Sequence, residues 1–278
     1  MTHDVPTEAR STPTRDELRT HLVDSVIAGD VRTTREDNLL QYGLLAARVP
    51  AAMFGLEPVG RWNLADILAL MAERVGVSPD QTHLYGPDRI DPDLTLDGLD
   101  RLAGQLAKAA RDRSRVLVAT GHPAGLLVVH LAVAAALRAA GATIITPGAG
   151  FTYTSMTKHG RAERHVRYVE RVAVISSRGE LNHTHSAQPM RGLLAALAED
   201  REPMPGLVVA DHGWAGAAAL AGITTVGYAD SNDPALFVGE AEGTVAVTVP
   251  LDDNVPPHLY APMTAYLLAA AGLSRPHA

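Results

Sequence analysis

Three times between residues 115 and 235 a short apolar run stops against polar side chains. Residues 116–119 stop at Thr120, residues 207–210 at Asp211 and His212, and residues 223–226 shortly before Asp230, Asn232 and Asp233. Runs this short, set between helical patterns, read as strands buried on both faces. Residues 123–140 and the small-residue stretch after Gly213 read as the helices between them. That alternation leaves few architectures. It predicts an α/β fold, a mainly parallel sheet with helices on both faces. It also puts polar groups at the carboxyl ends of strands, where such sheets bind ligands.

Further strands are expected at 142–145, 172–175 and 245–249, and helices at 189–198 and 262–271. The stretch from Pro147 to about Arg164 holds Gly148, Gly150 and Gly160 and reads as a loop or lid. Before residue 115 the periodicity is helical. Thr14 caps a helix carrying Leu18 and Leu22, and residues 29–38 form a polar turn into a helix with Leu39, Leu40, Leu44 and Leu45. Asn63 opens a helix over 64–75, the Ser78-Pro79-Asp80 sequence marks another start, and Thr95 begins a long helix. No strand is evident there. The expected organisation is a disordered leader over 1–13, a helical subdomain over 14–114, and an α/β domain over 115–278 that carries the site.

Composition excludes several classes of function. A net charge of −7 opposes a general nucleic-acid binder, which needs a basic face. With no cysteine, thiolate nucleophiles and cysteine metal sites are ruled out. The longest apolar stretch, 116–140, is interrupted by His122, Pro123, His130 and Arg138, whereas a membrane span needs about 20 apolar residues. A cytoplasmic protein is expected, with no membrane partner and with room for a homo-oligomer.

Four constellations carry chemistry. Thr120, Gly121, His122 and Gly125 lie between a strand and a helix, where free amides and the helix dipole favour an anion and His122 can move a proton. A tight turn with a capping histidine is the alternative. His130, two turns further on, reads as a core histidine. In the stretch from Asn182 to Ser186, His183 and His185 share a face if extended, and can hold a metal or grip an anion. Asp211 and His212 at one strand end meet Asp230, Asn232 and Asp233 at the next. Carboxylates so close repel unless a cation or proton separates them, and such oxygen ligands suit Mg²⁺ or Mn²⁺, with Zn²⁺ entering if histidines join. Turn and capping roles are the alternative for Asp230 to Asp233. Asp252 and Asp253 repeat the pattern after 245–249. Arg32 and Arg35 either solvate a helix start or point at an anionic ligand.

These residues fall in longer blocks. They include Arg35 to Leu39, Tyr85 to Asp88, Val116 to Leu127, Asn182 to Met190, Val208 to Gly216, Gly227 to Gly243 and Val249 to Val255. In them the chain resembles a family of mainly actinobacterial proteins known simply as phosphatases. The resemblance implies hydrolysis of a phosphate ester. The expected substrate is a small phosphorylated metabolite such as a sugar or nucleoside phosphate, and from the residues themselves His122, His183, Asp211 and His212 are the catalytic candidates. Thr120, Gly121, Gly125, His185, Arg35 and Asn232 are the candidates for substrate binding, and Asp211, Asp230 and Asp233 for the metal. A sugar-phosphate isomerase or lyase, or a non-catalytic module binding a phosphorylated ligand, would use the same groups.

Overall fold

The computed structural model describes residues 12–157 and 160–274. The expected leader lies, but for its last two residues, outside them. In chain order the regular elements are α1 (Arg15–Asp24), β1 (Gly29–Thr34), α2 (Arg35–Ala46), α3 (Leu64–Arg74), β2 (Pro87–Ile90), α4 (Pro92–Arg111) and β3 (Arg115–Ala119). Then come α5 (Leu127–Ala139), β4 (Thr143–Ile144), β5 (Thr152–Thr157), β6 (Gly160–Val169), β7 (Val172–Ser177), β8 (Glu180–Asn182) and α6 (Gln188–Glu199). The chain closes with β9 (Leu207–Val209), α7 (His212–Leu220), β10 (Thr225–Ala229), α8 (Pro234–Ala241), β11 (Val247–Pro250) and α9 (Ala261–Ala270).

The main sheet runs in the order β11, β10, β9, β3, β7, β6, β5. Strands β11, β10, β9, β3 and β7 are parallel, with β4 beside the start of β3 and β7 beside its end. Their side chains are apolar on both faces because helices cover both. From β3 the chain moves one way to β4, while β9, β10 and β11 step the other way. Right-handed crossovers therefore put α5 on one face and α7 and α8 on the other. Helices α1, α4 and α9 join α5, and α2, α3 and α6 join α7 and α8. The order reverses between β3 and β9, and a crevice at such a reversal is the usual place for a ligand.

Several boundaries differ from expectation. Residues 152–157 and 160–169 are paired antiparallel strands, β5 with β6, extending the sheet through β7. They read as a loop because only Val166 of β6 is buried, so no apolar alternation marks the strand. Residues 29–34 are a strand too, paired antiparallel with β2, so the N-terminal part is not purely helical. Ser78 to Asp80 start no helix; their carbonyls are occupied otherwise, as described below. Helix α4 starts at Pro92, capped by Asp91, and α5 starts at Leu127 instead of Pro123.

Elements before residue 115 share one apolar core with those after it, with α4 against β11 and α1 against α9. Among the described residues, no helix is long and apolar enough to cross a membrane.

Candidate active site

Asp211 follows β9 and is fully buried. Its Oδ1 accepts from the Gly121 amide (2.6 Å) and from His212 Nδ1 (2.8 Å), and its Oδ2 from Thr120 Oγ1 (2.6 Å). Burial alone would raise its pKa, but the hydrogen bond and charge of His212, with Thr120, hold it below the usual carboxylate range. Both oxygens are therefore committed to protein donors. Asp211, expected as a metal ligand, is bonded to His212 and belongs to none of the side-chain sets that could hold a metal among the described residues. A carboxylate on one ring nitrogen fixes where the other nitrogen points.

That other nitrogen, His212 Nε2, points at two carboxylates, 3.2 Å from Asp233 Oδ2 and 3.4 Å from Asp253 Oδ2. Burial would lower the imidazole's pKa; Asp233 and then Asp211 overcome this and raise it well above its ordinary value. Where no metal is bound, a proton on His212 separates these carboxylates. His212 also has φ 48°, a left-handed backbone that costs a non-glycine residue about 1–2 kcal/mol. Its hydrogen bond to Asp211 holds it there.

Asp230 follows β10, and its oxygens accept from Thr33 Oγ1 and the Ser231 amide, both at 2.5 Å. Burial, and then the nearby Asp252, push its carboxyl up to about 7. Burial also raises Asp252 and Asp253, which follow β11. Among the described residues, no Lys or Arg side chain forms an ion pair with Asp230, Asp233, Asp252 or Asp253.

His183 and His185 close the group from the segment after β8. The His185 ring stacks on His212 (centroids 4.8 Å, 16° between planes), and His183 lies 5.1 Å from His212 and 4.7 Å from His122. Burial, then the charge on His212, lower His183 to about 3 and His185 to about 4, so both rings are neutral near pH 7. Phe54, which no local signal marks, walls the histidines with its ring 4.9 Å from His185 and 5.3 Å from His212. Thr33 was missed as well; its partner lies 197 positions away.

Four strand ends thus meet, as their chemistry suggested, and His122, His183, His185, His212, Asp230 and Asp233 come together. Thr120 and Gly121 support Asp211. Four amides of the turn expected to bind an anion, those of Gly121, His122, Gly125 and Leu126, are bonded within the protein. The His122 amide is bonded to Thr120 Oγ1, and the Gly125 and Leu126 amides to the His122 carbonyl. Gly121 is needed for space, not for unusual angles. A Cβ there would sit 2.5 Å from the Thr184 carbonyl oxygen. Gly125 likewise lies against the backbone of Asp253. Asn232 is half-buried on the Asp230–Asp233 turn.

Arg35 is away from the cluster. It is fully buried, pairs with Asp88 at 3.0 Å, and donates to the carbonyls of Ser78, Asp80 and His83. Arg32 is the nearer arginine, its amide 3.4 Å from Asp252 Oδ2. His130 is buried in the core as expected, its Nδ1 bonded to the Leu126 carbonyl.

Among the described residues, three sets of side chains could each hold a metal ion: His183, His185 and His212; His212, Asp233 and Asp253; and Asp230, Asp252 and Asp253. A family model described as Phosphatase matches residues 13–275. The chain belongs to that family. It is also 53% identical to a Streptomyces coelicolor protein named Phosphatase SCO2771, over 94% of this chain and 98% of the relative. The resemblance read from the sequence blocks, and its actinobacterial connection, agree with both findings.

Proposed function

We propose that the chain is a phosphatase that hydrolyses a small phosphate ester, a sugar or nucleoside phosphate, with help from a divalent cation. The observation that carries this is the convergence of imidazoles with buried carboxylates that have no lysine or arginine partner among the described residues, at the strand ends of a phosphatase-family chain. The donor set fits a metal: His122 Nδ1 is buried with no hydrogen-bond partner among the described residues, and His212 Nε2 faces Asp233 and Asp253. His212, Asp233 and Asp253 would hold the cation, with His183 and His185 or Asp230 and Asp252 beside them. When bound, such a cation neutralises charge on phosphoryl oxygens and lowers the pKa of water.

The chain's own groups supply the rest. Asp211 keeps His212 oriented, through its bonds to Thr120 and Gly121. His122, lowered by burial and then by His212, is neutral near pH 7, and its free Nδ1 can exchange a proton with the attacking water or the departing oxygen. Arg32, whose amide lies by Asp252 and whose charge lowers that carboxyl against the rise from burial, is the arginine offered to the phosphoryl oxygens. A phosphate anion would otherwise be repelled by this many carboxylates, so cation loading and substrate binding are coupled in this scheme.

The test is free phosphate released from a panel of phosphorylated metabolites, with and without chelator. Release that stops with chelator and returns with Mn²⁺ is expected. Silence across the panel under all metal conditions refutes the hydrolase. Product formation without phosphate release selects an isomerase or lyase instead.

A further inference from the structure

The cluster has two poles of different chemistry. His183, His185 and His212 bring their ligand atoms within 4.8 Å of one another, and so do Asp230, Asp252 and Asp253, yet the two sets share no residue. The third set, His212, Asp233 and Asp253, borrows one member from each. Together they amount to seven side chains, more than the six positions of an octahedral ion.

Charge points the same way. Five carboxylates are buried here: Asp211, whose oxygens are bonded to Thr120, Gly121 and His212, and Asp230, Asp233, Asp252 and Asp253. One divalent ion leaves three of these charges uncompensated, and two leave one.

Asp253 stands between the poles. Its Oδ2 faces His212 Nε2 at 3.4 Å, and its Oδ1 faces His122 Nδ1 at 3.9 Å. An independent sign of a ligand comes from His122. That residue is only 7% exposed, and its Nδ1 has no hydrogen-bond partner among the described residues. The 3.9 Å gap is too wide for a hydrogen bond. It leaves room between Asp253 and His122 Nδ1 for a ligand atom of the centre, such as an oxygen that His122 can bond.

We propose that this is a two-cation centre with unlike poles, an imidazole pole at His183, His185 and His212 and a carboxylate pole at Asp230, Asp252 and Asp253, linked through Asp253. The inference rests on the reading that the cluster holds cations, and not on the reaction assigned to it. Imidazoles suit Zn²⁺, Mn²⁺ or iron; the carboxylate pole suits the harder Mg²⁺ or Mn²⁺. Mn²⁺ is the ion both poles accept.

The full-length protein, stripped with chelator, is reloaded with Mn²⁺ alone. Bound manganese is counted by elemental analysis and its spin state read by electron paramagnetic resonance. Two ions per chain with a spin-coupled spectrum are expected. One ion per chain at saturation, or two with the spectrum of isolated ions, overturns the proposal. The wild-type count decides the matter whatever the variants do. For folded variants, Asp252→Asn and His183→Ala should each weaken a different ion of the pair, by about 10- to 100-fold. Loss of the same ion in both also overturns it. Two coupled ions without phosphate release would keep this inference and remove the hydrolase. Phosphate release with one ion would do the reverse.

Discussion

A methyl group at position 213 is expected to pull the imidazole pole apart. Gly213 is the second residue of α7, directly after His212, and packs against the segment that carries His183 and His185. A Cβ on it would lie 2.2 Å from the His185 carbonyl oxygen and 2.5 Å from that of Ser186. Real Cβ contacts do not fall below 3.0 Å, so the two segments must separate by at least 0.8 Å. The obstacle is backbone on both sides, with no flexible side-chain end to swing away.

Such overpacking costs about 1–3 kcal/mol, which for a chain this size lowers Tm by roughly 2–10 °C. The larger effect is on function, since a displacement of about 1 Å costs on the order of 100-fold in turnover. The assay is phosphate release from a chromogenic aryl phosphate, alongside Mn²⁺ affinity and a thermal melt. Gly104→Ala is the control. It lies in the interior of α4 with nothing within 4 Å of its Cβ position, and should leave activity unchanged and stability equal or higher. A folded Gly213→Ala protein with wild-type turnover and metal affinity would refute the argument that backbone contact sets the site geometry.

Other outcomes follow from the same contacts. Asp211→Asn keeps the shape but removes the charge beneath His212; metal affinity or turnover should fall about 10- to 100-fold with the fold intact by circular dichroism. Arg35→Ala leaves Asp88 buried without its cation and should cost about 3–5 kcal/mol in denaturant unfolding. Asp230 links stability to pH in the metal-free protein. Its folded pKa of about 7 lies above the ordinary 3.8, so the folded state holds the proton longer and the stability Asp230 contributes is lost as pH rises from about 4 through 7. His183 and His185 are shifted down and act in the opposite direction below pH 6.5, so the informative quantity is a difference. Metal-free Asp230→Asn should therefore gain in Tm relative to wild type as pH goes from 5 to 8. A pH-independent gap would contradict the burial argument.

The parallel strands were legible because burial on both faces leaves an unmixed apolar run, and the polar residue that ends it marks the sheet's edge. Thr120, Asp211 and Asp230 all announced themselves in this way. The β5–β6 pair did not, since residues such as Arg161, Glu163 and Arg167 are strand residues that face solvent. Nor did β1, where Asp30 and Arg32 alternate with Gly29 and Val31. Within the site, residue types were visible but directions were not. Whether Asp211 turns its oxygens to a metal or to the backbone depends on Thr120 and Gly121, about ninety positions earlier. Arg35 looked like an anion ligand because charge near a turn is ambiguous until its partner is known, and Asp88 lies 53 positions away.

That partner leads back to the centre. Arg35 and Asn38 both donate to Asp88 Oδ2, Ser231 Oγ donates to Asn38 Oδ1, and Tyr42 donates to the Ser231 carbonyl. Ser231 stands beside Asp230, which also accepts from Thr33. Every candidate ligand is encoded after residue 115, but the scaffold that aims Asp230 is encoded before it. A hybrid gene joining the first hundred residues of one relative to the remainder of another would keep all the ligands and still inherit mismatched support. Thr33, Asn38, Tyr42 and Ser231 therefore form a unit of exchange across that junction, and recombinants that move them together should retain metal affinity when those that split them do not.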